Sequence, residues 1–152
     1  IEADYRDKKA TLAYNGLSFS VPKRLHIIGM MNTADRSLAM IDYALRRRFS
    51  FFDMEPGFDS EGFINYQNSF ENETFNTLIE RIKELNKEIA QDKALGKGFC
   101  IGHSYFCNVN DCAEEWMKDV VDFDILPMLS EYWFDESSKL QRWENILHGV
   151  FQ

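Results

Sequence analysis

Residues Leu25–Met31 form a largely apolar run that breaks off at once into Asn32-Thr33-Ala34-Asp35-Arg36-Ser37. This run constrains the fold more than any other feature of the chain. A short apolar segment containing one glycine, Gly29, and closed by short polar side chains reads as a buried strand. Strands buried on both faces belong to open α/β sheets, where ligands bind beyond the carboxyl ends of the strands. A polar cluster at that end is where nucleotide chemistry would be read out.

The neighbouring segments extend the pattern. Ile1 to about Lys8 is polar and is expected to finish a helix. Thr11–Tyr14 and Leu17–Val21 flank Asn15-Gly16, the strongest short-range hairpin signal, and a type I′ turn there needs positive φ at both positions. Pro22 ends the second arm. After the buried run, Ser37 is a good N-cap for a short helix through about Arg46. Phe49–Met54 is β-rich and apolar and reads as the next core strand, with Glu55-Pro56-Gly57 as the boundary.

Beyond it the period becomes helical. Phe75, Leu78, Ile79, Ile82, Leu85 and Ile89 predict one long amphipathic helix, with Gly96 and Gly98 able to stop it. Trp116, Val120 and Val121 suggest a second helix. Ile125–Tyr132 suggests a third, with Pro127 tolerated only in its first turn. Leu140, Trp143 and Leu147 mark a last helix capped by Asp135 or Ser137. The expected organisation is an α/β core remnant at 1–56 and an all-α subdomain at 57–152.

Composition narrows the function. At 152 residues, 45% hydrophobic and 28% charged, the chain reads as an ordinary globular protein. It has no apolar run of the roughly 18 residues that a membrane helix needs, and Ile1-Glu2-Ala3-Asp4 is charged too early for a signal peptide. The first residue is not Met, so the chain is expected to begin inside a longer protein. A net charge of −8 argues against this segment being the main DNA contact, which would need a basic surface. Cys100, Cys107 and Cys112 match no zinc spacing and are read as free thiols of a cytoplasmic protein. No metal site is expected from the scattered His26, His103 and His148.

Asn32 is the first residue with chemistry to offer. A nucleotidase needs a neutral polar group beside the γ-phosphate, and Asn supplies a donor and an acceptor without adding negative charge. The plain alternative is that it caps the next helix or makes a turn. Arg46, Arg47 and Arg48 follow in Asp42-Tyr43-Ala44-Leu45-Arg46-Arg47-Arg48-Phe49. A guanidinium brought in from outside a pocket stabilises charge on a transferring phosphoryl group. Arginines also favour a helix C-terminus through its dipole.

A strand with a terminal Asn, then a short helix ending in arginines, resembles the second half of an AAA+ P-loop nucleotidase core. The hairpin just before that strand is similar to the one inserted in a recognised AAA+ group. The words MNTADRS, DYALRRRF and GHSYF resemble the GTP-hydrolysing McrB subunits of modified-cytosine restriction systems. The resemblance implies that Asn32 is sensor 1 and that Arg47 and Arg48 are candidates for an arginine finger acting on a neighbouring subunit, with Arg46 the weaker candidate. It implies that Asp35 and Arg36 pair within their loop or face a neighbour or partner. It further implies that Gly102-His103-Ser104-Tyr105-Phe106 belongs to the lid.

AAA+ lids usually carry a sensor 2 arginine. None lies in this stretch, so His103 or Ser104 stands as a weak nucleotide-proximal substitute, against the alternative of a packed turn. Tyr105, Phe106, Trp116, Tyr132, Trp133, Phe134 and Trp143 are read as lid core. The chain has no G-x-x-x-x-G-K-[ST] phosphate loop and no acidic strand end for Mg²⁺. Half of the nucleotide site is therefore absent, and the chain alone is expected to be inactive and to hold no nucleotide tightly. The parent is expected to use GTP or ATP with Mg²⁺, to form a ring of identical subunits, and to work with an McrC-type nuclease subunit. DNA would be bound by other parts, and no membrane is involved. Two other readings are a dynein-related or MoxR-like ATPase of chaperone type and a non-enzymatic interaction module.

Overall fold

The computed structural model describes residues 2–31 and 43–152, which fall into two compact units, Ile1–Asp53 and Met54–Gln152. In the first unit the expected helix end near the N-terminus is a single 3₁₀ turn, Ala3–Tyr5. The hairpin is present, with β1 (Ala10–Thr11) antiparallel to β2 (Ser18–Phe19) and Ala10 opposite Phe19. Its turn is not the expected two-residue type. The Leu12 N–H donates to the Leu17 carbonyl at 2.9 Å and the Gly16 N–H to the Leu12 carbonyl at 2.8 Å, so the loop spans 13–16. Gly16 takes φ 70°, whereas Asn15 does not adopt positive φ and instead accepts the Leu17 N–H on its side chain. A loop closed by one helix-like turn needs a single left-handed residue, and glycine fills that position without steric cost.

The two expected core strands do not form. Leu25–Met31 and Phe49–Met54 join no ladder, and among the described residues β1 and β2 are the only strands. Ile28 is 92% exposed and Met30 98%. A strand is completed only by a neighbour that pairs with it, and these segments have none here. Helix α1 (Tyr43–Arg46) ends where the sequence places the end of the short helix; its proposed cap Ser37 lies outside the described residues.

The second unit is helical. Helix α2 (Glu61–Asn68) is capped by Ser60, whose Oγ accepts the Phe63 N–H at 3.3 Å. Helix α3 (Glu73–Gln91) is capped by Asn72, whose side chain accepts the Phe75 N–H at 3.0 Å. All six apolar residues of the predicted stripe on α3 are 0% exposed. Each such side chain contributes roughly 1.5–3 kcal/mol by leaving water. The helix ends before the glycines, at Asp92, whose carboxylate accepts the Ala94 N–H at 2.8 Å. Gly96 then returns at φ 87°, its N–H reaching the Ile89 carbonyl.

The second and third predicted helices are one continuous rod. Helix α4 (Glu114–Asp119) runs through a π-helical stretch, Val120–Ile125, into α5 (Leu126–Tyr132). Pro127 lies in the first turn of α5, as predicted. Having no N–H, it cannot bond the carbonyl four residues back, and the wider π register, with the Leu126 N–H on the Val121 carbonyl, carries the chain past it. Helix α6 (Ser137–His148) buries Trp143 and Leu147 and half-buries Leu140. Neither Asp135 nor Ser137 caps it; Glu136 occupies the cap position without a side-chain bond.

Two carboxylates one turn apart, Glu88 on α3 and Asp92 just past its end, tie α3 to α6 and to Trp133 at the end of α5. Glu88 holds the Arg142 guanidinium and accepts the Trp143 indole N–H at 3.0 Å. Asp92 accepts the Lys139 ammonium at 2.6 Å and the Trp133 indole N–H at 3.1 Å, and Lys139 lies 4.4 Å from the Trp133 ring centroid. The Asp92 carboxylate is only 8% exposed. The Lys139 bond, then the Ala94 N–H, hold its pKa down from 3.8 to about 2. A carboxylate depressed in the folded state stabilises above its unfolded pKa, and that stabilisation is lost as pH falls towards the folded value. The shift corresponds to about 2 kcal/mol. Asp92→Asn is therefore expected to lose about that much stability at pH 7 and to converge with the parent chain near pH 2. Urea unfolding at the two pH values checks this; the same gap at both would contradict it.

Candidate functional site

The GHSYF turn is held from α3. The Asn86 side chain clamps one residue of the returning chain, accepting the Ile101 N–H at 2.6 Å and donating to the Ile101 carbonyl at 2.9 Å. Gly102 leads into a 3₁₀ turn, His103–Phe106, in which Phe106 is fully buried. The half-buried His103 imidazole meets Phe58 and Phe63 edge-on, with centroids at 6.2 and 5.8 Å. Its Nδ1 accepts the Gly57 N–H at 3.0 Å. An Nδ1 that accepts carries no proton, so the neutral ring bears its hydrogen on Nε2. Ser104 beside it is exposed.

In the first unit Arg46 ends α1, and Arg47 and Arg48 lie in the turn that follows. Arg46 lies 5.8 Å from the Phe51 ring centroid. Arg47 is exposed. Arg48 reaches the Glu2 carboxylate at 2.6 Å and the Ala44 carbonyl at 3.1 Å. The carbonyl bond is the helix-end role that a terminal arginine takes through the dipole. The Glu2 pair is exposed and contributes little stability. Asn32, Asp35 and Arg36 lie outside the described residues.

The thiols are ordinary packing groups. Burial pushes all three upward, Cys112 to about 11 with help from Asp111, so they stay protonated and weakly nucleophilic. Of the aromatics read as core, Phe134 is 82% exposed and Tyr105 39%, so those two are corrected to surface. Phe106, Trp133 and Trp143 are buried, and Trp116 and Tyr132 pack against the core from its edge.

Sequence reasoning did not single out Gly57, Asn72, Asn86 or the Asp92–Lys139 pair as site-building groups. Only Asn72 carried a local signal, a cap residue just ahead of an apolar period. The others act across 15 to 47 residues of chain.

Residues 77–141, from α3 into α6, match the family described as McrB, alpha-helical lid domain. Over 138 residues the chain is 50% identical to the Type IV methyl-directed restriction enzyme EcoKMcrB subunit of Escherichia coli (strain K12). The chain is McrB-like. The matched stretch covers 86% of this chain and 30% of that relative's length. In the McrB-like chain the long amphipathic α3 is the spine of the lid, and the GHSYF turn is fastened to it through Asn86. None of the described helices is long and apolar enough to cross a membrane.

Proposed function

We propose that this chain is the C-terminal part of an McrB-type AAA+ nucleotidase that hydrolyses GTP with Mg²⁺ and drives DNA translocation for a modification-dependent restriction system. Residues 1–56 contribute the last strands of the α/β core, and 57–152 the helical lid. The observation that carries this reading is the 50% identity, across both units, to a restriction-enzyme subunit. That relative's printed role favours restriction over a dynein-related or MoxR-like chaperone ATPase and over a purely structural module.

The exposed apolar segments support the core assignment. Ile28, Met30, Phe52 and Met54 are each more than four-fifths exposed. Apolar surface of this kind marks a face that other chain covers, here the remaining strands of a parallel sheet. Asn32 at the strand end orients the attacking water. Arg47 or Arg48 stabilises the transferring phosphoryl group in the adjoining subunit of a ring. Asp35 and Arg36 face that neighbour or a stimulating McrC-type nuclease. The lid turn with Ser104 and His103 lies on the nucleotide side. DNA is bound through other parts of the parent in the cytoplasm.

Two measurements test the reading. The full-length parent is expected to turn over GTP in preference to ATP, faster in the presence of its nuclease subunit. This chain alone, lacking a phosphate loop, is expected to show no GTP-analogue binding at micromolar concentration by calorimetry. Tight binding to the isolated chain would place the nucleotide site elsewhere.

A further inference from the structure

The net charge of the chain is concentrated in one place. Residues 111–136, the rod of α4, the π-helical stretch and α5 with its flanking turns, carry nine carboxylates and a single cation, Lys118. That is a charge of −8, the value for the whole chain, so the rest is neutral overall. Lys118 is already paired with Glu114 at 2.6 Å, and Asp122 is bonded to His148 at 2.7 Å. Asp119, Asp124, Glu131 and Asp135 are exposed and make no ion pair among the described residues.

A solvated acidic face alone would be ordinary, but this one carries aromatic rings. Along the rod Ile125, Leu129 and Trp133 are buried, while Phe123, Pro127 and Glu131, two residues before each, are exposed. Two residues turn a helix by about half a circle, so those three stand on its outer side. Phe123 is 74% exposed between Asp122 and Asp124, and Phe134, in the turn after α5, is exposed next to Asp135. The remaining phenylalanines of the helical unit are all buried or half-buried.

We propose that this face docks an arginine-bearing segment of another protein. A guanidinium satisfies both features at once, because it lies flat on an aromatic ring and pairs with a carboxylate at its edge. An ammonium is more strongly hydrated and gives up more on leaving water for the ring. Nucleic acid and anionic membrane surfaces are repelled by the same carboxylates. A second copy using the same face would set like charge against like. The inference goes beyond the nucleotide chemistry proposed above and does not depend on it.

The probes are octa-arginine and octa-lysine, titrated into this chain at about 0.15 M salt and followed by amide chemical shifts. Octa-arginine is expected to shift the amides of 119–135 selectively, to saturate at a single site, and to bind about tenfold more tightly than octa-lysine. Phe123→Ser combined with Phe134→Ser is expected to bring octa-arginine down to the octa-lysine affinity, with the Ile82 amide on α3 unmoved. Asp124→Asn combined with Glu131→Gln is expected to weaken both peptides. Equal affinity of the two peptides for the parent chain would overturn the proposal, as would shifts spread over the acidic residues of α2 and α3. Self-association of the chain through 119–135 in the absence of peptide would assign the face to a second copy and overturn it too.

Discussion

Asn32→Ala in the full-length protein is expected to cut nucleotide turnover by roughly a hundredfold or more while leaving nucleotide affinity within about threefold. The Asn32 side chain, at the end of the Leu25–Met31 run, is proposed to stand beside the γ-phosphate. An amide oxygen and an amide N–H placed beside the γ-phosphate orient the attacking water, and that interaction grows as the transition state forms. In the proposed site the ground-state contacts of the nucleotide belong to a phosphate loop and a metal, neither of which Asn32 replaces. Its loss therefore falls on turnover and spares binding, the pattern of an interaction made chiefly in the transition state. Steady-state hydrolysis together with equilibrium binding of a non-hydrolysable analogue separates the two quantities. Unchanged turnover would return Asn32 to the plainer role of a turn or helix cap.

What was legible in the sequence followed the range of the interactions. The stripe on α3 could be read directly, because a helix makes its hydrogen bonds within itself and its buried face repeats at 3.6 residues. Pro127 lies in the first turn of α5 as its sequence position suggested, but that turn continues the rod from α4, and the π register before it accommodates the missing N–H. The Asn15-Gly16 pair marked the hairpin, but the turn type depended on where the arms paired, and that register moved the loop to 13–16. Leu25–Met31 and Phe49–Met54 had the composition of buried strands, yet composition cannot supply the neighbours that make a strand.

The same holds at the candidate site. The word GHSYF pointed to the turn, and the structure shows why its residues sit as they do. Asn86 on α3 holds the backbone of Ile101, and Gly57 holds the imidazole of His103. Neither partner is near the turn in sequence. The termination of α3 at Asp92 had a similar cause, since its carboxylate caps the chain locally and is fixed by Lys139 and Trp133 from α6 and α5. The polar residues that cross between helices are the ones a periodicity argument passes over.

The proposed function is tested most directly at Arg47 and Arg48, the two arginines that follow α1. An arginine supplied from a neighbouring subunit contributes about 10³–10⁵ in turnover, whereas one that only satisfies a helix end contributes about 0.3–1 kcal/mol of stability. The decisive measurement mixes two inactive full-length variants: one with Arg47→Ala or Arg48→Ala, the other lacking the phosphate loop but keeping its arginines. The arginine variant alone is expected to bind nucleotide, to hydrolyse almost none, and to poison wild-type rings. The mixture is expected to regain turnover where an intact pocket meets an intact arginine. Co-assembly of the two variants without any recovery, for either arginine, would contradict the account.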